Sequence, residues 1–207
     1  MQYNLLLVGV GGQGIVTLSE IIAMSAVSRG IKAIVTQDRG LAQRGGTVKA
    51  HVRLGDVFSP LIPKGTVHAL LSLEAIETLG FLNYINKDSI LIINEKRIIP
   101  RNLLLKKGRG TTIEEIKQLL KPLKNVYFIN AESRIREIGL SMGTNILMLG
   151  LLLGLDDRIK PFIGKSDIIS VMEKRLRRYI EENVKALNEG IRSVSYTHLR
   201  AHETSLH

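Results

Sequence analysis

The sequence predicts an α/β fold: three-layer, Rossmann-like, with a mainly parallel sheet, an inserted β-hairpin and a helical C-terminal third. Three observations predict it. An apolar run leads through a glycine turn into an amphipathic stretch, further short apolar runs alternate with helix-patterned segments, and the last third carries apolar residues at helical spacing.

Tyr3 to Val8 reads as a buried strand, and Ile15, Leu18, Ile21, Ile22 and Met24 give the following segment, up to Ser28, a helical period. "GIKAIVTQ" supplies a second strand at Lys32 to Thr36, which completes a βαβ unit. A glycine-rich loop, "QDRGLAQRGGTV", comes next. Alternation at Val48, Ala50, Val52 and Leu54, a turn at Gly55 and Asp56, and resumption at Val57 predict the hairpin. "VHALLSL", "SILIINE" and "NVYFINA" are strands, and "EAIETLGFLNYI" is a helix. Helices then follow over "AESRIREIG", "GTNILMLGLLLGL" and from Asp167 to about Gly190, with Ser166 or Asp167 as cap and Gly190 as stop. The glycines at 139, 143, 150 and 154 predict a close packing seam, inside the core or against another subunit.

Composition narrows the function. With 44% apolar and 23% charged residues in 207, the chain reads as one folded domain over residues 1–192. Its apolar content is aliphatic and lacks Trp, which argues against stacking on single-stranded nucleic acid. The longest apolar run, Ile146 to Leu155, falls short of the roughly 20 residues of a bilayer span. Tyr3 and Asn4 lead straight into the first strand without a basic head or a cleavage site, so a cytoplasmic location is expected. Cysteine is absent, which excludes disulfides, a thiolate nucleophile and thiolate-held iron–sulfur clusters in this chain. The net charge of +10 is partly concentrated between Lys87 and Lys124, which suits either an anionic partner or ordinary solvated faces. Ser195 to Thr204, "SYTHLRAHET", reads as a translated transposon-style sequencing adapter. Residues 193–207 are therefore expected to be a non-native tail, and its three histidines are excluded as metal ligands.

Gly9, Gly11 and Gly14 satisfy G-x-G-x-x-G between a strand and a helix. The spacing permits a tight turn, close approach of a phosphate, and close strand–helix packing. Gly12 adds another position without a side chain, and Gln13 an amide for a ligand or a neighbouring loop. A dinucleotide would also need an acid at the end of the second strand, and the nearest is Asp38, two residues beyond Thr36. Downstream, Gln43, Arg44, Gly45 and Gly46 set a guanidinium beside unobstructed backbone, a combination suited to phosphate, carboxylate or another chain. His51 reads as a partly exposed strand residue and His68 as structural, since neither has a nucleophile or metal-spaced partner. No catalytic residue and no metal ligand is assigned.

"LLLVGVGGQG", "GLAQRGGTVKAHVRLG" and "FSPLIPKGTVHALLSLEAIETL", together with "GTNILMLGLLLGL", resemble the beta subunit of indolepyruvate:ferredoxin oxidoreductase, the gamma-type domain of the 2-oxoacid:ferredoxin oxidoreductase family. Gln37, Asp38 and Arg39 depart from the Glu, aliphatic residue and His or Tyr expected there. The resemblance implies a hetero-oligomeric enzyme that oxidatively decarboxylates aryl 2-oxoacids to acyl-CoA and passes the electrons to ferredoxin. Thiamine diphosphate and the iron–sulfur clusters would belong to a large partner subunit. This chain, inactive alone, would complete the active site and help bind coenzyme A, with Gly9, Gly11, Gly12, Gln13, Gly14, Gln43, Arg44, Gly45 and Gly46 as the binding set. The alternatives are a gamma subunit acting on pyruvate, 2-oxoglutarate or branched-chain 2-oxoacids, and a non-catalytic nucleotide-binding protein. An NAD-dependent dehydrogenase would need a separate substrate domain, which the sequence lacks.

Overall fold

At the centre of a six-stranded sheet lies β1 (Gln2–Val10), with every residue after Gln2 buried. The computed structural model describes residues 1–39, 46–98, 111–176 and 178–203. The other strands are β2 (Ala33–Arg39), β3 (Thr47–Gly55), β4 (Ala69–Ser72), β5 (Ile90–Asn94) and β6 (Val126–Ile129), in the spatial order β2-β3-β1-β4-β5-β6. β4, β5 and β6 run parallel to β1, whereas β3 is antiparallel to both β1 and β2. β1 and β2 therefore run the same way, and the βαβ unit is present with β3 wedged into it.

Alternation along β1 divides the core. Tyr3, Leu5 and Leu7 face α1 (Ile15–Ser28) and the C-terminal helices, while Leu6 and Val8 face a smaller cluster with Leu70, Leu91, Ile93 and two residues of a later helix, Ile116 and Leu120. The strands' continuous apolar sequence follows from this burial on both faces. On the second face lie α2 (Ala75–Thr78), its 3₁₀ continuation Leu79–Tyr84, and α3 (Ile113–Leu120). The first face carries α1, α4 (Ala131–Glu137), α5 (Thr144–Leu155), α6 (Lys165–Arg175) and α7 (Ile180–Glu203). No helix among the described residues is long and apolar enough to cross a membrane.

Four local expectations are corrected. The inserted hairpin is made by β2 and β3 across residues 40–46. The chain turns at Gly55 but starts no strand at Val57, because β3 already has a partner on each side. The helix expected over "EAIETLGFLNYI" tightens after Thr78 into 3₁₀ turns. The helix expected from Asp167 breaks between Arg175 and Ile180, with Tyr179 at φ 61°, a left-handed conformation. Its cap is Gly164, whose N–H donates to the Asp167 carboxylate at 2.7 Å.

Gly190 is the fourth correction: α7 passes straight through it. A Cβ there would run into the Leu147 carbonyl oxygen, and one on Gly150 would meet the Leu187 carbonyl oxygen. The two glycines let α5 and α7 cross backbone to backbone, so the predicted seam lies within the core. α5 can then be apolar on all sides, with Ile146 to Leu153 buried without a gap.

Candidate functional site

The connection from β1 runs over the first face through α1, and that from β4 over the second face through α2. Where adjacent parallel strands send their chains to opposite faces, a crevice opens at their carboxyl ends, and α/β sheets bind ligands there. The glycine turn, residues 9–14, forms one wall of this crevice and Leu73–Glu74 the other.

The turn is held from within. Gln13 Oε1 accepts the Val10 N–H at 2.8 Å, and Gln13 Nε2 donates to the Leu73 carbonyl at 2.9 Å, so one amide side chain ties β1 to β4 across the crevice. Both of its ends are already engaged. Gly9 leaves room for this, since a Cβ there would sit 2.6 Å from Gln13 Oε1. Gly11 N–H donates to the Gly46 carbonyl at 3.0 Å, which places Gly46 against the turn. Gly12 and Gly14 have φ of 98° and 81°, and Gly12 faces open space. Gly14 is the N-cap of α1 without a capping side chain, and the amides of Ile15, Val16 and Thr17 find no acceptor among the described residues. These amides and the helix dipole make the end of α1 receptive to an anion. Gln43, Arg44 and Gly45 lie outside the described residues.

Further polar residues line the same rim. Asn145, near the start of α5, reaches Gly14, where a Cβ would lie 2.6 Å from its Nδ2. Asn94, at the end of β5, donates to the Leu73 carbonyl at 3.3 Å and to Glu132 Oε1 at 3.2 Å, and accepts the Ala131 N–H at 3.1 Å. Glu74 is buried and takes N–H bonds from Glu77 and Ile98 at 2.8 and 2.7 Å. Burial raises its pKa above the ordinary carboxylate value, and these bonds oppose the rise. Sequence reasoning missed all three. For Glu74 and Asn94 a signal was present, since the apolar runs of β4 and β5 give way to polar residues in "SLE" and "IINE", whereas nothing beside Asn145 marks it.

Other polar residues fall elsewhere. Asp38 pairs with Lys49 at 3.1 Å. His51 is 1% exposed, contrary to its expected partial exposure, because the segment after β3 covers it and the Ile62 N–H donates to its Nδ1 at 3.2 Å. Its Nε2 has no partner among the described residues, and burial lowers its pKa. His68 has the expected structural place. Its Nδ1 accepts the Asn4 N–H at 3.0 Å, and its ring stacks on Tyr3, whose hydroxyl donates to buried Asp156 at 2.8 Å. Two lysines of the basic stretch, Lys96 and Lys117, pair with Glu132 and Glu95, in line with the solvated-face reading.

Comparison with known proteins gives a coherent result. Residues 4–193 match the family model described as pyruvate ferredoxin/flavodoxin oxidoreductase. The chain is similar to indolepyruvate oxidoreductase subunit IorB of Archaeoglobus fulgidus, with 35% identity over 92% of this chain and 94% of the relative. Among solved structures it resembles the gamma subunit of a keto/oxoacid ferredoxin oxidoreductase from Geobacter sulfurreducens PCA. The TM-score is 0.67 at 20% identity, over 95% of this chain and 98% of that one. It also resembles a 2-oxoglutarate:ferredoxin oxidoreductase from Magnetococcus marinus, solved with 2-oxoglutarate, coenzyme A and succinyl-CoA bound. There the TM-score is 0.68 at 16% identity, over 94% of this chain but 31% of that one. The expected kinship and the expected fold are both borne out.

Proposed function

This chain belongs to the pyruvate ferredoxin/flavodoxin oxidoreductase family and is a subunit of a 2-oxoacid:ferredoxin oxidoreductase; from that premise we propose that its enzyme oxidatively decarboxylates aryl 2-oxoacids, indolepyruvate foremost, to acyl-CoA. The observation that carries the substrate choice is the similarity to an indolepyruvate oxidoreductase subunit along nearly the whole of both chains. Electrons leave to ferredoxin through a large partner subunit, which holds thiamine diphosphate and the iron–sulfur clusters. A chain without cysteine offers no thiolate to a cluster.

In this reading the small subunit closes the active site and receives coenzyme A. The uncapped amides at the start of α1 donate to a phosphate group of the cosubstrate, Gly12 leaves its approach open, and Arg44 adds a guanidinium. Gln13 acts indirectly, keeping β1 and β4 in register beneath the phosphate. Glu74 and Asn94 hold the rim, and no proton transfer is assigned to them. The assembly is cytoplasmic, a location that fits the lack of a membrane-crossing helix among the described residues.

Assays of the complex with its large subunit test both parts of the proposal. Indolepyruvate should be turned over more efficiently than pyruvate, 2-oxoglutarate or branched-chain 2-oxoacids, and the reverse order would reject the substrate. Arg44→Ala should raise the KM for coenzyme A with little change in the KM for the 2-oxoacid, and an unchanged value would remove the contact. We further take residues 1–192 as one gamma-type domain and 193–207 as foreign sequence. Amplifying the coding region from source DNA across codon 192 decides that point.

A further inference from the structure

β2 is an outer strand, and nothing among the described residues pairs with its free edge. Natural edge strands are guarded by lysine, proline, bulges or inward charges, but Ala33 to Thr36 carry none of these. The Gly55 N–H donates to the Lys32 carbonyl at 2.8 Å, which sets the parity of the ladder. Lys32, Ile34, Thr36 and Asp38 spend their backbone groups on β3, and those of Ala33, Val35 and Gln37 point outward. The same three side chains, with Glu20, Ala23 and Met24 of α1, line a groove of about 610 Å3. Beside it Met24 and Val27 are 41% and 58% exposed.

We propose that two copies of this chain join edge to edge through antiparallel β2 strands, with Val35 on the two-fold axis. An extended backbone is what a row of unpaired N–H and C=O groups selects, and charge selects the copy and the register. Outward-pointing residues must face outward-pointing residues, so only alternate registers are open. Centring on Val35 sets Ala33 against Gln37, Ile34 against Thr36, and Lys32 against Asp38 at both ends. Centring on Ile34 or Thr36 satisfies the backbone equally but leaves Lys32 without a facing acid. Asp38 is 55% exposed beside Lys49 and can accept from a second cation. Such exposed pairs add little affinity, so their role is to fix the register. The two α1 helices flank the seam on one face, where Met24 and Val27 meet their counterparts. This inference is independent of the substrate and of coenzyme A.

Sedimentation of the full chain across low- to high-micromolar concentration should show a monomer–dimer equilibrium, and a monomer throughout would overturn the proposal. Val35→Pro removes an outward N–H and no bond to β3, and should raise the dimer Kd about tenfold or more, roughly the loss of 1.4 kcal/mol. Lys32→Glu should weaken the dimer, and the double variant K32E/D38K should restore it, a pair of results that does not depend on how V35P folds. The chain has no cysteine, so oxidised V35C should cross-link to itself while T36C does not. Preferential cross-linking of T36C, a dimer indifferent to all these changes, or a V35P defect seen only in binding of the large subunit would each overturn it.

Discussion

Two regions of this molecule depend on glycine for different reasons. In the turn between β1 and α1, Gly12 and Gly14 supply backbone angles that other residues adopt at a cost, and Gly12 faces open space. At the crossing of α5 and α7, Gly150 and Gly190 have ordinary helical angles and supply nearness, each lying against the other helix's backbone. Gly12, of the first kind, leaves room for something to arrive. One of the second kind has already been met by its own chain.

The difference predicts a ranking. Gly190→Ala should cost most, about 3 kcal/mol or more, because neither backbone can yield without parting two fully packed helices. Thermal unfolding would show a fall in Tm of roughly 6 °C or more for a chain of this size. Gly14→Ala should cost about 2 kcal/mol, combining the left-handed angle with displacement of the Asn145 amide. Gly12→Ala carries the angle alone, about 1 kcal/mol. An order with Gly12 above Gly190 would dissolve the comparison. In the assembled enzyme the ranking should invert for coenzyme A: Gly12→Ala should raise its KM more than any surviving variant of the crossing.

The smallest effect sharpens the comparison by leaving both regions untouched. His51 and His68 have pKa values lowered first by burial, then by the charges of Lys49 and Arg158 respectively. Each ring therefore takes up its proton at a lower pH in the folded chain than in the unfolded one, which does so near pH 6.5. Their contribution to stability is complete above that value and is lost as pH falls from it toward the lower folded pKa values. A modest drop in Tm between about pH 7.5 and 5.5 is expected, flattened in His68→Gln, with the glycine ranking unchanged.

Much of this was legible because its causes are local. Periodicity revealed β1, α1, β4 and β5, and the glycine turn announced itself between a strand and a helix. What escaped depends on distant partners. Nothing near Thr47 says that β3 will slide between β1 and β2, and nothing beside Gln13 names Leu73, sixty residues on, as its acceptor. His51 looked half exposed because alternation reports one face, while Ile62 arrives from beyond the strand to cover the other. Gly190 carried the usual mark of a helix end, and only the position of α5 shows otherwise. The break before Ile180 contains neither proline nor glycine, so the sequence carried no mark of it.

The α5–α7 crossing also constrains the order in which the protein can be made. α5 is apolar around its whole circumference, and its outer side is covered by residues such as Ala186 and Leu187, some forty positions later. Until the ribosome has released that stretch, the nascent polypeptide carries a greasy cylinder with no cover. Synthesis paused or terminated before Ala186 should yield a product that clings to chaperones or precipitates, while arrest a few turns later should not.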